Sequence, residues 1–110
     1  MNYTIHISRT AEQDLRAAVD YITTHLQNPQ AARRLGANAL ADIDSLEIFP
    51  ARFPAIDDPF LAPHQIHLLP VQNYLLFYRI DEPSRAVHIL RFLYGRSDWQ
   101  TILHADNTPT

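Results

Sequence analysis

An α+β fold, a two-layer sandwich in the order β-α-α-β-β-β, is what the sequence predicts, and three observations predict it. Two apolar runs, residues 74–80 and 86–94, flank the polar segment Asp81-Glu82-Pro83-Ser84. Val, Ile, Tyr and Phe favour pleated backbone, and a short Pro-containing connection returns the chain directly, so the two runs form a hairpin. Upstream lie two apolar stripes at helical spacing, separated only by Asn28-Pro29. Before them, residues 3–7 alternate Tyr3, Ile5 and Ile7 with Thr4 and His6, the pattern of a half-buried strand. Together these predict a helical hairpin packed on a mainly antiparallel sheet.

Each element has a local reason. Thr10 with Gln13 makes a capping box, and Leu15, Ala18, Val19, Ile22 and Leu26 then recur at helical spacing, predicting a first helix over about 11–25. Asn28 caps a second helix with Pro29 at its first position. Ala32, Leu35, Ala39, Ile43 and Leu46 form its stripe, and Pro50 ends it. The short connection makes the helices an antiparallel hairpin. Residues 49–63, FPARFPAIDDPFLAP, carry four Pro and no periodicity, yet Phe49, Phe53, Ile56, Phe60 and Leu61 are too apolar for a disordered linker. An ordered loop over the core is expected there. A strand over 64–71 leads through Gln72-Asn73 into the hairpin. Gly95 breaks the chain, and Ser97 or Asp98 caps a short C-terminal helix to about Leu103. One domain over 1–104 with a flexible tail over 105–110 completes the expectation.

The 110 residues suffice for one core, and 46% of them are hydrophobic. There is no cysteine, which removes disulfide frameworks and thiolate metal sites and suits a reducing, cytoplasmic setting. No run reaches the roughly 20 apolar residues of a membrane span. The formal net charge of −3 argues against a generic nucleic-acid binder. Every Lys or Arg position is Arg. His64 and His67 stand at a loose metal-ligand spacing with no further ligands, so no metal and no cofactor is expected.

Strict alternation puts Tyr74, Leu76, Tyr78 and Ile80 on one face and Leu75, Phe77 and Arg79 on the other. In the next run it puts Val87, Ile89, Arg91 and Leu93 together, against Ala86, His88, Leu90, Phe92 and Tyr94. Both faces are largely apolar, whereas a sheet wetted on one side alternates. Two helices cover one face only. The other face needs a cover: the Pro-rich loop, a second copy or, the favoured expectation, a partner chain.

The segments HLLPVQNYLLFYRID at 67–81 and VHILRFLYGRSDW at 87–99, with ISRTAEQDLRAAVDYI at 7–22 and FPARFP at 49–54, resemble the RelE/ParE superfamily of toxins from type II toxin–antitoxin systems, and within it the ParE-like, plasmid-stabilisation branch. The resemblance spans about residues 3–103. It implies the fold derived above and a cognate antitoxin whose C-terminal segment folds across the toxin. Contact with nucleic acid would then come only indirectly, through the antitoxin, and no membrane is involved. RelE-like members cut ribosome-bound mRNA with basic residues on the sheet; ParE-like members inhibit DNA gyrase and have no chemistry of their own.

Where the nucleases carry cations, this chain offers His67, Leu68 and Leu75. Arg79, Arg91, Arg96 and His67 are the remaining catalytic candidates. Arg96, beyond Gly95, is the best exposed cation. Arg91 is expected to pair with a carboxylate such as Asp98 or Glu47, and His67 to be a half-buried strand histidine. Leu75, Phe77, Arg79, Tyr94, Arg96 and Trp99 are the candidates for antitoxin or target contact, Trp99 also as a packing anchor. The pattern favours a toxin that binds a protein target such as gyrase. The alternatives are a ribosome-dependent endoribonuclease and a degenerate protein that only binds its antitoxin.

Overall fold

In a computed structural model, which describes residues 2–108, the chain runs through strand β1 (Thr4–Ile7), helices α1 (Arg9–Thr24) and α2 (Pro29–Ser45), strands β2 (His67–Val71), β3 (Tyr74–Asp81) and β4 (Ala86–Tyr94), and helix α3 (Trp99–Asp106). The sheet order is β1-β4-β3-β2. β1 lies parallel to β4, and the other pairs are antiparallel. The expected α+β sandwich is the observed one.

The boundaries differ from expectation where a local hydrogen bond decides them. α1 starts at Arg9 because Ser8, not Thr10, caps it: the Ser8 hydroxyl accepts from the Ala11 amide at 3.0 Å and donates to the Leu90 carbonyl at 3.1 Å. Asn28 caps α2 as expected, accepting from Ala31 at 3.1 Å. α2 ends at Ser45, five residues before Pro50. There the Arg52 guanidinium donates to the carbonyls of Ser45 (3.2 Å), Ile48 (2.9 Å) and Phe49 (3.2 Å), bracing the turn that follows the helix. β2 begins at His67 rather than His64, because residues 62–64 form a 3₁₀ turn and Gln65 is left-handed at φ 50°. α3 continues to Asp106, so the expected tail over 105–110 is helical at its start; residues 109–110 lie outside the described residues. Among the described residues no helix is long and apolar enough to cross a membrane.

The core on the helix side is the larger. Leu35, Ala39, Ile43 and Leu46 of α2 and its end meet Leu76, Tyr78, Val87 and Ile89 of the hairpin, all at most 4% exposed. The stripes that were legible as helix periodicity make this layer.

Candidate functional site

The opposite face of the sheet is not bare. Phe77 has no exposed surface and packs in a second apolar cluster with Leu61, Ile66, Leu93 and Leu103. Ile56, Leu68, Leu75, Leu90, Trp99 and Ile102 surround it, half-buried. The Trp99 ring lies 5.3 Å from that of Phe77. The favoured expectation, that a partner must cover this face, is therefore corrected: the Pro-rich loop and α3 cover it from within the chain. Phe77, a contact candidate, sits beneath that cover.

Strict alternation also fails once. Tyr78 is paired with Ile89 and Phe77 with Arg91, so Leu90 is the extra residue of a β-bulge. The bulge resets the faces: Ile89 and Phe92, three apart, both point to the helices, and Leu93 points away with Leu90.

Polar ties fix the Pro-rich loop and α3. The His67 ring stacks on Tyr78 at 5.1 Å, and its Nδ1–H donates to the Phe53 carbonyl at 2.7 Å. The Tyr78 hydroxyl donates to the Pro50 carbonyl at 2.6 Å, and burial pushes its pKa up to about 12. Asp58 accepts from the amides of Phe60 (2.8 Å) and Leu61 (3.1 Å), and lies 2.9 Å from His104 Nε2. The His104 bond, then the backbone donors, hold the Asp58 carboxyl below its ordinary value against a smaller opposing effect of burial. Phe60 stacks on the same imidazole at 4.6 Å.

Arg91 is paired, but not with Asp98 or Glu47. Its Nε and Nη2 donate to the two carboxylate oxygens of Asp14 at 2.7 and 3.0 Å, a bidentate fork. Nη1 reaches Asp106 at 3.1 Å. Asp14 also accepts from the Phe92 amide at 3.0 Å, where β4 has run past the end of β1 and would otherwise present an unpaired donor. Those bonds to Asp14, ahead of a smaller opposing effect of burial, raise the Arg91 pKa. Asp98 instead caps α3, accepting from the Thr101 amide at 3.4 Å and the Thr101 hydroxyl at 2.7 Å.

The four catalytic candidates do not converge. His67 lies on the helix side against Tyr78. Arg91 is locked between Asp14 and Asp106. Arg79, exposed, sits near the β3–β4 turn, opposite His88. Arg96, also exposed, follows the other end of the hairpin, where the Gly95 amide donates to the Asn73 carbonyl at 2.8 Å. A Cβ on Gly95 would stand 3.0 Å from that carbonyl oxygen, so a larger residue would crowd the turn there.

Sequence reasoning missed Asp14, Asp106, His6 and His88. Asp14 lay just off an apolar stripe, a weak signal for an inward-reaching carboxylate. His6 and His88 could be joined only by knowing the β1–β4 register. An open apolar groove of about 670 Å³ lies between α1 and the Asn73–Tyr94 end of the hairpin, and a smaller one of about 330 Å³ lies beside Leu15 and Leu40. Tyr21 (50% exposed), Leu26 (56%) and Tyr94 (43%) line the larger, with Tyr74 beneath. Burial, then the neighbouring hydroxyls of Tyr94 and Tyr21, raise the pKa of Tyr74.

The fold, the closed outer face and the motif segments together define a class. The family model for the ParE toxin of type II toxin–antitoxin systems (parDE) matches residues 5–99, and the chain belongs to that family. Among solved structures it is similar to a chain of the chromosomal ParDE TA system from P. aeruginosa, with a TM-score of 0.66 at 17% identity over 84% of this chain and 95% of that one. A chain of the RelBE2 toxin–antitoxin complex from Mycobacterium tuberculosis aligns with a TM-score of 0.56 at 24% identity, over 86% and 99%. A chain of the archaeal RelE–RelB complex from Pyrococcus horikoshii OT3 gives 0.57 at 17% identity, over 88% and 100%. No curated protein matches the sequence.

Proposed function

We propose that this protein is the toxin of a type II toxin–antitoxin pair, neutralised by a cognate antitoxin, and that it acts by binding a protein target such as DNA gyrase rather than by cutting RNA. The observation that carries the target reading is the composition of the outer sheet face. Cleavage beside a ribose 2′-hydroxyl needs cations and an acid–base group gathered around one phosphate. Here Leu68 and Leu75 belong to an apolar cluster. Arg91 is already satisfied by two carboxylates. Arg79 and Arg96 stand at opposite ends of the hairpin.

Family membership supports an antitoxin partner, and the similar structures were solved as ParDE or RelBE systems. The groove beside Tyr21, Leu26 and Tyr94 is an exposed apolar surface that suits an antitoxin segment ordering on binding. Arg96, Trp99 and Leu75 lie toward the same end of the hairpin and remain contact candidates for antitoxin or target. Purified protein should block gyrase from supercoiling plasmid DNA and leave ribosome-bound mRNA intact, and added antitoxin should restore supercoiling. Site-specific mRNA cleavage without an effect on gyrase would overturn the target reading. Overexpression that harms no cell would overturn the toxin reading.

A further inference from the structure

Away from the covered part of the outer face, three nitrogen-bearing side chains stand in one row across three strands. His6 of β1 is in register with His88 of β4, and His88 with Arg79 of β3. Residues directly opposite on adjacent strands share a face. Tyr78 and Ile89, their neighbours in sequence, point to the helices, so the row points outward. The two imidazoles are stacked, 5.3 Å between centroids and 18° between planes. His6 and Arg79 are exposed and His88 half-buried. Among the described residues, no hydrogen bond or ion pair engages any of the three side chains. Asp81, two residues along β3 from Arg79, forms no ion pair with it. What sets the row apart from other exposed arginines is its register: a guanidinium and two imidazoles stand side by side across three strands.

We propose that His6, His88 and Arg79 form a binding row for phosphate oxyanions. The guanidinium supplies a fixed positive charge and a planar fork of donors. Each imidazole carries at least one ring N–H whatever its charge. Strands about 4.8 Å apart give the row a span of about 10 Å. One phosphate reaches two of its members; consecutive phosphates of a single nucleic-acid strand reach all three. Metal binding is disfavoured by Arg79, whose charge adjoins the histidine pair. Binding of a nucleic-acid strand by this row would count against the protein-target reading above, whereas binding of free phosphate alone leaves that reading in place.

The test is NMR observation of the His6 and His88 ring signals in the full chain at neutral pH. Sodium phosphate is titrated against sodium chloride at matched ionic strength, and a short single-stranded DNA oligonucleotide is titrated in parallel. Phosphate should shift the His88 ring, and through their stacking the His6 ring more weakly, saturably where chloride does not, and the oligonucleotide should shift both at roughly tenfold lower concentration. Equal affinity per phosphate would assign the row to free phosphate. Arg79→Gln should weaken phosphate roughly tenfold, the loss of one charge-assisted contact, with an unchanged melting temperature. Arg33→Gln, exposed on α2, should change nothing. Identical shifts in phosphate and chloride, or shifts indifferent to Arg79→Gln, would overturn the proposal.

Discussion

The two faces of the sheet are closed by different means. On one side, α1 and α2 lay continuous apolar stripes against β3 and β4, and every turn of α2 contributes a buried residue. On the other, a loop rich in Pro and the eight-residue α3 do the same work with Leu61, Ile66, Trp99 and Leu103. The first layer is self-supporting secondary structure. The second has little local preference for its shape and is held by a few polar ties, Asp58 to His104 and Arg91 to Asp106, while His67 to Phe53 and Tyr78 to Pro50 fix the start of the loop on the helix side. Similar burial on both sides thus rests on unlike supports, helix periodicity on one and a loop with a short helix on the other.

The largest expected effect is on the helix side. Leu35→Ala should cost about 3–5 kcal/mol, because rigid neighbours cannot collapse into the cavity. Leu103→Ala, equally buried, should cost about 2–3 kcal/mol, since the short α3 can shift to fill part of the space. Urea denaturation of both variants makes the comparison, and equal losses would mean that the outer layer is as rigid as the inner one. Next comes the clamp that joins the layers. Asp14→Asn leaves Arg91 with Asp106 alone, at a site where both side chains are less than a fifth exposed, and should cost about 2–3 kcal/mol.

Smallest is the acid dependence of the Asp58–His104 tie. The folded carboxyl of Asp58 is held below its ordinary value chiefly by His104. Its contribution is therefore complete above the ordinary carboxylate pKa of about 3.9 and is lost as pH falls through the lower folded value. Melting temperatures of wild type and Asp58→Asn should differ near pH 6 and approach each other below about pH 4.

The same contrast decides what was legible in the sequence. The stripes of α1 and α2 and the runs of β3 and β4 follow fixed periods, so their identity and packing partner could be read directly. Residues 49–63 have no period, and whether they covered the sheet depended on where Pro50, Pro54 and the left-handed Gln65 turned the chain. The bulge at Leu90 is a one-residue slip that alternation cannot reveal, and it moved Phe92 and Leu93 to the faces opposite those expected. Arg91 was rightly expected to be paired, but its partners Asp14 and Asp106 lie on helices whose approach to β4 no spacing encodes. His6 and His88 became neighbours only through a parallel crossover.

Trp99 is the sole tryptophan and sits on Phe77 within the outer layer, which makes it a reporter of that layer alone. The most direct measurement is therefore the thermal unfolding of the isolated protein, followed at once by Trp99 fluorescence and by far-ultraviolet circular dichroism of the helices. A chain that closes both faces by itself unfolds as one unit, and the two signals should trace a single coincident transition. A Trp99 transition at lower temperature, with the helices still intact, would contradict the account: the outer face would then be open in the free protein and closed only by a partner.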